Sequence, residues 1–170
     1  MKTLTTEFLQ QFPLFTGLSK QELEKVRTIM TVRMIMEGSY IIKENDVGHE
    51  MFVLLDGEVE VSRSLLLKIS GGGMNQRDKL LNKLTANDHA FFGEMGLFDD
   101  HSERSASVIA TTKCTVAVLE RESFFHLTET DKEVGYVILK NILKIVSDRL
   151  DKTTKDVLKL TTALSLALER

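Results

Sequence analysis

The spacing of apolar positions changes twice along the 170 residues, and each change marks a different kind of structure. Residues 4–36 carry apolar side chains at helical intervals, among them Leu23, Val26 and Ile29. Ser19, with Glu22 three residues on, forms the capping-box pattern that opens a helix. The run FPLFTGL holds the single proline, Pro13, with Gly17 behind it, and predicts a turn between two short helices.

From Gly38 to Glu120 the pattern shortens to strand-length runs separated by turn residues: YIIK, MFVLL, EVEVSR, SVIA and CTVAVLE. NDVG after YIIK is a turn cluster. Asp56-Gly57 between MFVLL and EVEVSR predicts a two-residue hairpin, because such a turn needs positive φ angles. Gly71, Gly72 and Gly73 follow LLLKI with no Lys-Ser/Thr and no helix start behind them, so they read as a flexible hairpin tip rather than a phosphate cradle. Many short strands at this spacing predict a barrel or roll, not a parallel sheet.

The third zone, from about Asp131 to Arg170, has no proline and a single glycine, Gly135, near its start. It predicts one helix of roughly 50–60 Å. Leu143, Val146, Leu150, Thr153, Val157, Leu160, Leu164 and Ala167 recur at alternating spacings of three and four. A seam so long and narrow exceeds what one small domain covers, so its expected partner is the same helix of a second copy, a homodimer through residues 143–167. Thr153, with Thr154 beside it, puts a hydroxyl into that seam. A polar seam residue costs stability, and register control, a tolerated defect or a function would each account for it.

Composition narrows the class. Charged residues make up 28% and hydrophobic ones 42%, as in a soluble globular chain. The net charge of -3 shows no broad basic surface for nucleic acid or anionic lipid. The lone cysteine, Cys114, sits in an apolar run and reads as a buried small hydrophobe. The N-terminus lacks the apolar stretch of a signal peptide and nothing approaches a membrane span, so a cytoplasmic location is expected. His49, His89, His101 and His126 stand apart, with no pair spaced to hold a metal. No acid–base or nucleophile constellation stands out, which predicts a binding protein and not an enzyme.

One stretch carries more chemistry than the rest: FGEMGLFDDHSERSASV, Phe92 to Val108. Together with PLFTGLS, EGSYII, MFVLLDGEVEV and the long helix, it resembles the cyclic nucleotide-binding domain in its bacterial form, that of the cyclic AMP receptor protein family. The most specific match is the phosphate-binding cassette, Gly-Glu followed by Arg, a small residue and Ala, here Gly93-Glu94 and Arg104-Ser105-Ala106. The resemblance implies a mainly β fold with flanking helices. Residues 1–130 would form a double-stranded β-helix of the jelly-roll kind with N-terminal helices, and residues 131–170 a coiled-coil dimerisation helix. The implied ligand is cyclic AMP, with cyclic GMP possible and no cofactor or metal.

The resemblance also implies roles. The turn at EMGLF, Met95 within it, would aim free N–H groups at the cyclic phosphate. Arg104 would pair with a phosphate oxygen, and Ser105 would donate its hydroxyl to the same group. Glu94 would accept from the ribose 2′-hydroxyl, and Gly93 would let the backbone approach the sugar. The base would lean on the long helix at DRLDKTTKDV, near Thr153 and Thr154, with Arg149 a weaker candidate one turn earlier.

Two departures stand out. The family's Gly-Asp three residues before the cassette glycine is replaced by Asn87-Asp88 in NDHAFFGE, a locally longer loop. Asn87 could take the left-handed conformation, which predicts an altered loop rather than a lost site. The segment Leu65–Lys79 is also extended. The family's transcription factors follow the long helix with a helix-turn-helix domain, absent here. The expectation is therefore a stand-alone sensor, or the sensing half of a longer protein with an unidentified downstream partner. An alternative is a dimeric scaffold of the same fold whose pocket binds another anion or nothing.

Overall fold

A computed structural model describes residues 3–68, 74–98 and 103–168. Helix α1 (Thr6–Leu9) leads through a 3-10 turn at Pro13–Phe15 to helix α2 (Lys20–Thr28). The expected capping box is present: the Ser19 hydroxyl accepts from the Glu22 amide, and the Glu22 carboxylate accepts from the Ser19 amide at 2.7 Å.

The helical zone ends earlier than its apolar spacing predicts. Met30–Ile35 is not helix but strand β1, paired antiparallel with β8 (Cys114–Glu120) from Met30↔Leu119 to Ile35↔Cys114. The spacing of three and four survives into MTVRMI, yet Thr31 and Val32 are β-branched, and a ladder along β8 outweighs a weak helical preference.

Strands β2 (Tyr40–Ile42), β3 (Glu50–Asp56), β4 (Glu58–Lys68), β5 (Met74–Thr85), β6 (Phe91–Phe92) and β7 (Ser107–Ala110) complete two four-stranded antiparallel sheets. One runs β1-β8-β3-β6, the other β2-β7-β4-β5, and they face each other as a jelly-roll-like sandwich. The expected hairpin at Asp56-Gly57 is instead a corner between sheets. Asp56 still belongs to β3, and Gly57 alone, at φ +92°, turns the chain out of one sheet into the other. A corner and a hairpin place the same demand on that glycine. The true hairpin joins β4 and β5, paired from Glu58↔Thr85 to Lys68↔Met74; Gly71, Gly72 and Gly73 lie outside the described residues, as does His101.

Two cores follow from the alternation within the central strands. Met51, Val53 and Leu55 of β3 face a cluster built with the helices, which includes Leu9, Phe15 and Leu23. Phe52 and Leu54 face the space between the sheets with Val116, Val118 and Cys114. Both faces being covered explains why MFVLL reads as an unbroken apolar run. Cys114 is fully buried, its thiol directed at the Glu58 carbonyl, and burial pushes its pKa up.

Helix α3 (Arg121–Thr130) leads into α4 (Lys132–Leu168), 37 residues spanning about 56 Å. Val134, Ile138 and Ile142 belong to the core, whereas Leu143, Leu150, Val157, Leu160 and Leu164 are exposed. Tyr136 and Leu139 are exposed too and continue the same three-and-four spacing. The stripe thus begins one heptad earlier than 143. Among the described residues, no helix is long and apolar enough to cross a membrane.

Candidate functional site

The cassette segment is built around one guanidinium. Strand β6 pairs with β3 through Phe52↔Phe92 and Val53↔Phe91, and the chain then turns at Gly93, φ +79°, into a 3-10 turn at Glu94–Leu97. The left-handed residue in the preceding loop is His89, φ +49°, and not Asn87, which lies inside a 3-10 turn at Ala86–Asp88. The longer loop therefore still delivers Gly93 to the edge of the sheet.

Arg104 is set by backbone bonds to the NDVG turn: its amide donates to the Asp46 carbonyl at 2.8 Å, and its carbonyl accepts from the Asn45 amide at 2.9 Å. Its guanidinium donates to the carbonyls of Gly93 (3.0 Å) and Glu50 (2.8 Å) and pairs with the Glu50 carboxylate at 3.3 Å. The side chain is only 7% exposed. Three glycines make room for it. A Cβ at Gly48 would stand 2.5 Å from the guanidinium, one at Gly96 2.6 Å and one at Gly93 3.1 Å. Burial holds the Arg104 pKa below its ordinary value, while Glu50 and Glu94 pull it up; an arginine stays charged throughout.

Glu94 faces the other way. Its carboxylate accepts from Arg149 of α4 at 2.9 Å, and Arg149 also donates to the Phe91 carbonyl at 3.0 Å. The guanidinium carbon lies 4.7 Å from the centre of the Phe91 ring. Arg149 thus ties the long helix to the cassette.

These groups border a cleft of about 470 Å³. Of the residues singled out from sequence, Gly93, Glu94 and Met95 line its floor, and Arg104, Ser105 and Ala106 one side. Arg149 and Thr153 reach it from α4. Thr154 is not among the described residues lining it, and its hydroxyl donates to the Leu150 carbonyl at 2.9 Å. Sequence reasoning missed Glu50 and Gly48, which support Arg104 from more than fifty residues away. It also missed Lys152 and Asp156, which with Arg149 and Thr153 form one stripe of α4 facing the cleft. That stripe follows the i, i+3, i+4, i+7 spacing, a signal masked by the adjacent apolar seam. Val61, Leu81 and Leu84 of the β4–β5 hairpin supply an apolar wall opposite.

Such a cleft offers an anion a buried cation, a hydroxyl a carboxylate, and a flat group an apolar wall facing a polar helix stripe. Residues 32–131 match the family described as "Cyclic nucleotide-binding domain". The chain is 31% identical over 120 residues to a cAMP-dependent protein kinase regulatory subunit of Pyricularia oryzae, covering 71% of this chain and 27% of that protein. It is 31% identical over 167 residues to the human cGMP-dependent protein kinase 2, covering 95% of this chain and 20% of that one. It therefore spans about a quarter or less of these relatives' length. The catabolite activator protein of Thermus thermophilus superposes with a TM-score of 0.71 at 26% identity, over 88% of this chain and 63% of that one. With its cassette, its two-sheet roll and this match over more than half its length, the chain belongs to the cyclic nucleotide-binding domain family.

Proposed function

We propose that the chain is a cyclic AMP-binding sensor module that works as a homodimer and regulates a partner rather than catalysing a reaction. Residues 1–130 form the roll that holds the sugar and phosphate, and residues 131–170 the dimerising helix, whose Thr153 reaches the base. The observation that carries this reading is the buried Arg104 guanidinium, held by backbone carbonyls and encased by Gly48, Gly93 and Gly96 at the cleft. A cation so placed is desolvated in advance, and a singly charged phosphate is its natural complement. Ser105 donates to the same phosphate, Glu94 accepts from the ribose hydroxyl, and Thr153 meets the adenine amino group. Thr154, turned from its own cleft, is left for the seam. Ligand binding acts by shifting an equilibrium between two arrangements of the long helices.

The test is isothermal titration with cyclic AMP on wild type and Arg104→Ala. Truncating a desolvated charge partner costs about 2–5 kcal/mol, or roughly 30-fold to several thousand-fold in affinity. An affinity within about threefold of wild type would sink the assignment. Absence of binding by a folded wild-type dimer would favour a scaffold in which Glu94 serves only to hold Arg149.

A further inference from the structure

Cys114 is the chain's single thiol, and it is fully buried with its pKa pushed up. A buried, protonated thiol is inert, so oxidants are left with the thioethers. Met30 and Met51 lie in the core, whereas Met34, Met36 and Met95 are 56%, 65% and 63% exposed. Met34 and Met36 belong to β1 and the turn after it, and neither lines the nucleotide cleft. Met95 stands on the floor of that cleft, inside the 3-10 turn Glu94–Leu97. Its neighbours in the chain are Glu94, which holds Arg149, and Gly96, whose missing Cβ leaves room for Arg104.

Hydrogen peroxide converts a thioether to a sulfoxide in one step. The sulfur lone pair takes one peroxide oxygen, the O–O bond breaks, and the other oxygen leaves as water; sulfur loses two electrons and the peroxide gains them. A flexible apolar side chain thereby becomes a polar one with a strong acceptor oxygen. On this floor an acceptor is badly placed. Glu94 beside it is already a carboxylate, and Arg149 is engaged by Glu94 and the Phe91 carbonyl. In the proposed pose the ribose hydroxyl goes to Glu94 and the cyclic phosphate offers only acceptors. A ligand covering the sulfoxide would strip its water and return no donor. We infer that Met95 is an oxidation site through which peroxide lowers the affinity of the cleft for cyclic nucleotide, whereas oxidation of Met34 and Met36 leaves that affinity unchanged. A nucleotide seated in the cleft covers the sulfur in turn and slows its oxidation. The inference rests on the cyclic nucleotide reading proposed above and adds a means of regulation to it.

The experiment exposes the whole chain to hydrogen peroxide over a time course, with and without cyclic AMP, and reads sulfoxide at each methionine by peptide mass spectrometry. Dissociation constants for cyclic AMP are measured before and after oxidation for wild type, Met95→Leu and the double variant Met34→Leu with Met36→Leu. Each is compared with its own unoxidised form, beside a thermal melt that tells loss of fold from loss of binding. Oxidation should weaken binding about tenfold in wild type and in the double variant, and by less than about twofold in Met95→Leu. In wild type the loss should track the Met95 sulfoxide fraction. Methionine sulfoxide reductases for both epimers, with dithiothreitol, should reverse it. Cyclic AMP should slow sulfoxide formation at Met95 and not at Met34 or Met36. Equal losses in wild type and Met95→Leu would overturn the inference, and so would a Met95 that stays reduced while Met34 and Met36 oxidise, or a Met95 sulfoxide that binds as tightly as the thioether. Unoxidised wild type that binds no cyclic nucleotide would remove the functional reading itself.

Discussion

The guanidinium of Arg149 donates to the carboxylate of Glu94 at 2.9 Å, joining the long helix to the cassette turn through the group proposed to hold the ribose. The same side chain covers the Phe91 ring and reaches its carbonyl. An ion pair half exposed on its arginine side only, with one cation–π contact, is worth on the order of 1 kcal/mol. Arg149→Met should therefore speed hydrogen exchange over residues 147–160 of α4 by roughly fivefold in the ligand-free protein. It should also diminish the change in exchange that ligand produces there. Unchanged exchange along α4 would show that the pair links nothing.

Gly48 lies outside the cassette, and its substitution separates binding from folding. An alanine Cβ there would stand 2.5 Å from Nε and from one terminal nitrogen of Arg104. What it meets is the end of a flexible side chain, so the backbone keeps its course and the guanidinium swings away. Gly48→Ala is expected to weaken cyclic nucleotide binding by about tenfold or more at little change in Tm. Gly96→Ala differs, because its Cβ would also stand 2.5 Å from the Gly48 carbonyl, and it should lower both affinity and Tm. Titration beside a thermal melt distinguishes the two. Wild-type affinity in a folded Gly48→Ala protein would refute the cage.

Asp131 sits at the joint between α3 and α4. Its carboxylate accepts from Lys25 of α2 at 2.6 Å and from the Val134 amide at 3.2 Å. The Lys25 bond, and then the amide, hold the Asp131 pKa below its ordinary value, while Asp131 raises that of Lys25. A depressed carboxylate contributes stability above its unfolded value and loses it as pH falls through the folded one. A raised lysine contributes below its unfolded value and loses it as pH rises through the folded one. The pair is therefore fully effective between about pH 4 and pH 10. Asp131→Asn should lower Tm across that range, with the gap to wild type closing in acid. A gap that persists in acid would assign the loss to packing instead.

How much of this could be read from the chain alone depends on sequence distance. The Ser19 cap, the strands SVIA and CTVAVLE and the long helix were legible because each signal is local. The cassette was legible because its turn and its arginine lie within a dozen residues. MTVRMI was misread because its spacing fits a helix, and only the waiting edge of β8 decides against one. Asp56-Gly57 was misread because a corner between sheets asks for the same positive φ as a hairpin. The partners of Arg104 at Gly48 and Glu50, and the hold of Arg149 on Glu94, join segments far apart in sequence, and no local pattern announces them.

Along α4, exposure alone does not distinguish the seam from the rest of the surface: Leu150 is 66% exposed and Leu158 61%. Periodicity does. Leu150 stands in the three-and-four register with Leu143 and Val157, whereas Leu158 falls outside it. One set of seam flanks, Ser147, Thr154 and Thr161, carries hydroxyls and no charge, so two copies can approach in parallel without like charges opposed. A carboxylate buried in that seam without a partner is costly. Leu150→Glu should therefore raise the dimer dissociation constant by about a hundredfold or more, while Leu158→Glu should leave it unchanged. Sedimentation equilibrium over a concentration series measures both. Equal effects of the two substitutions would mean that the helices meet along another face, and a monomeric wild type would end the case for a dimer.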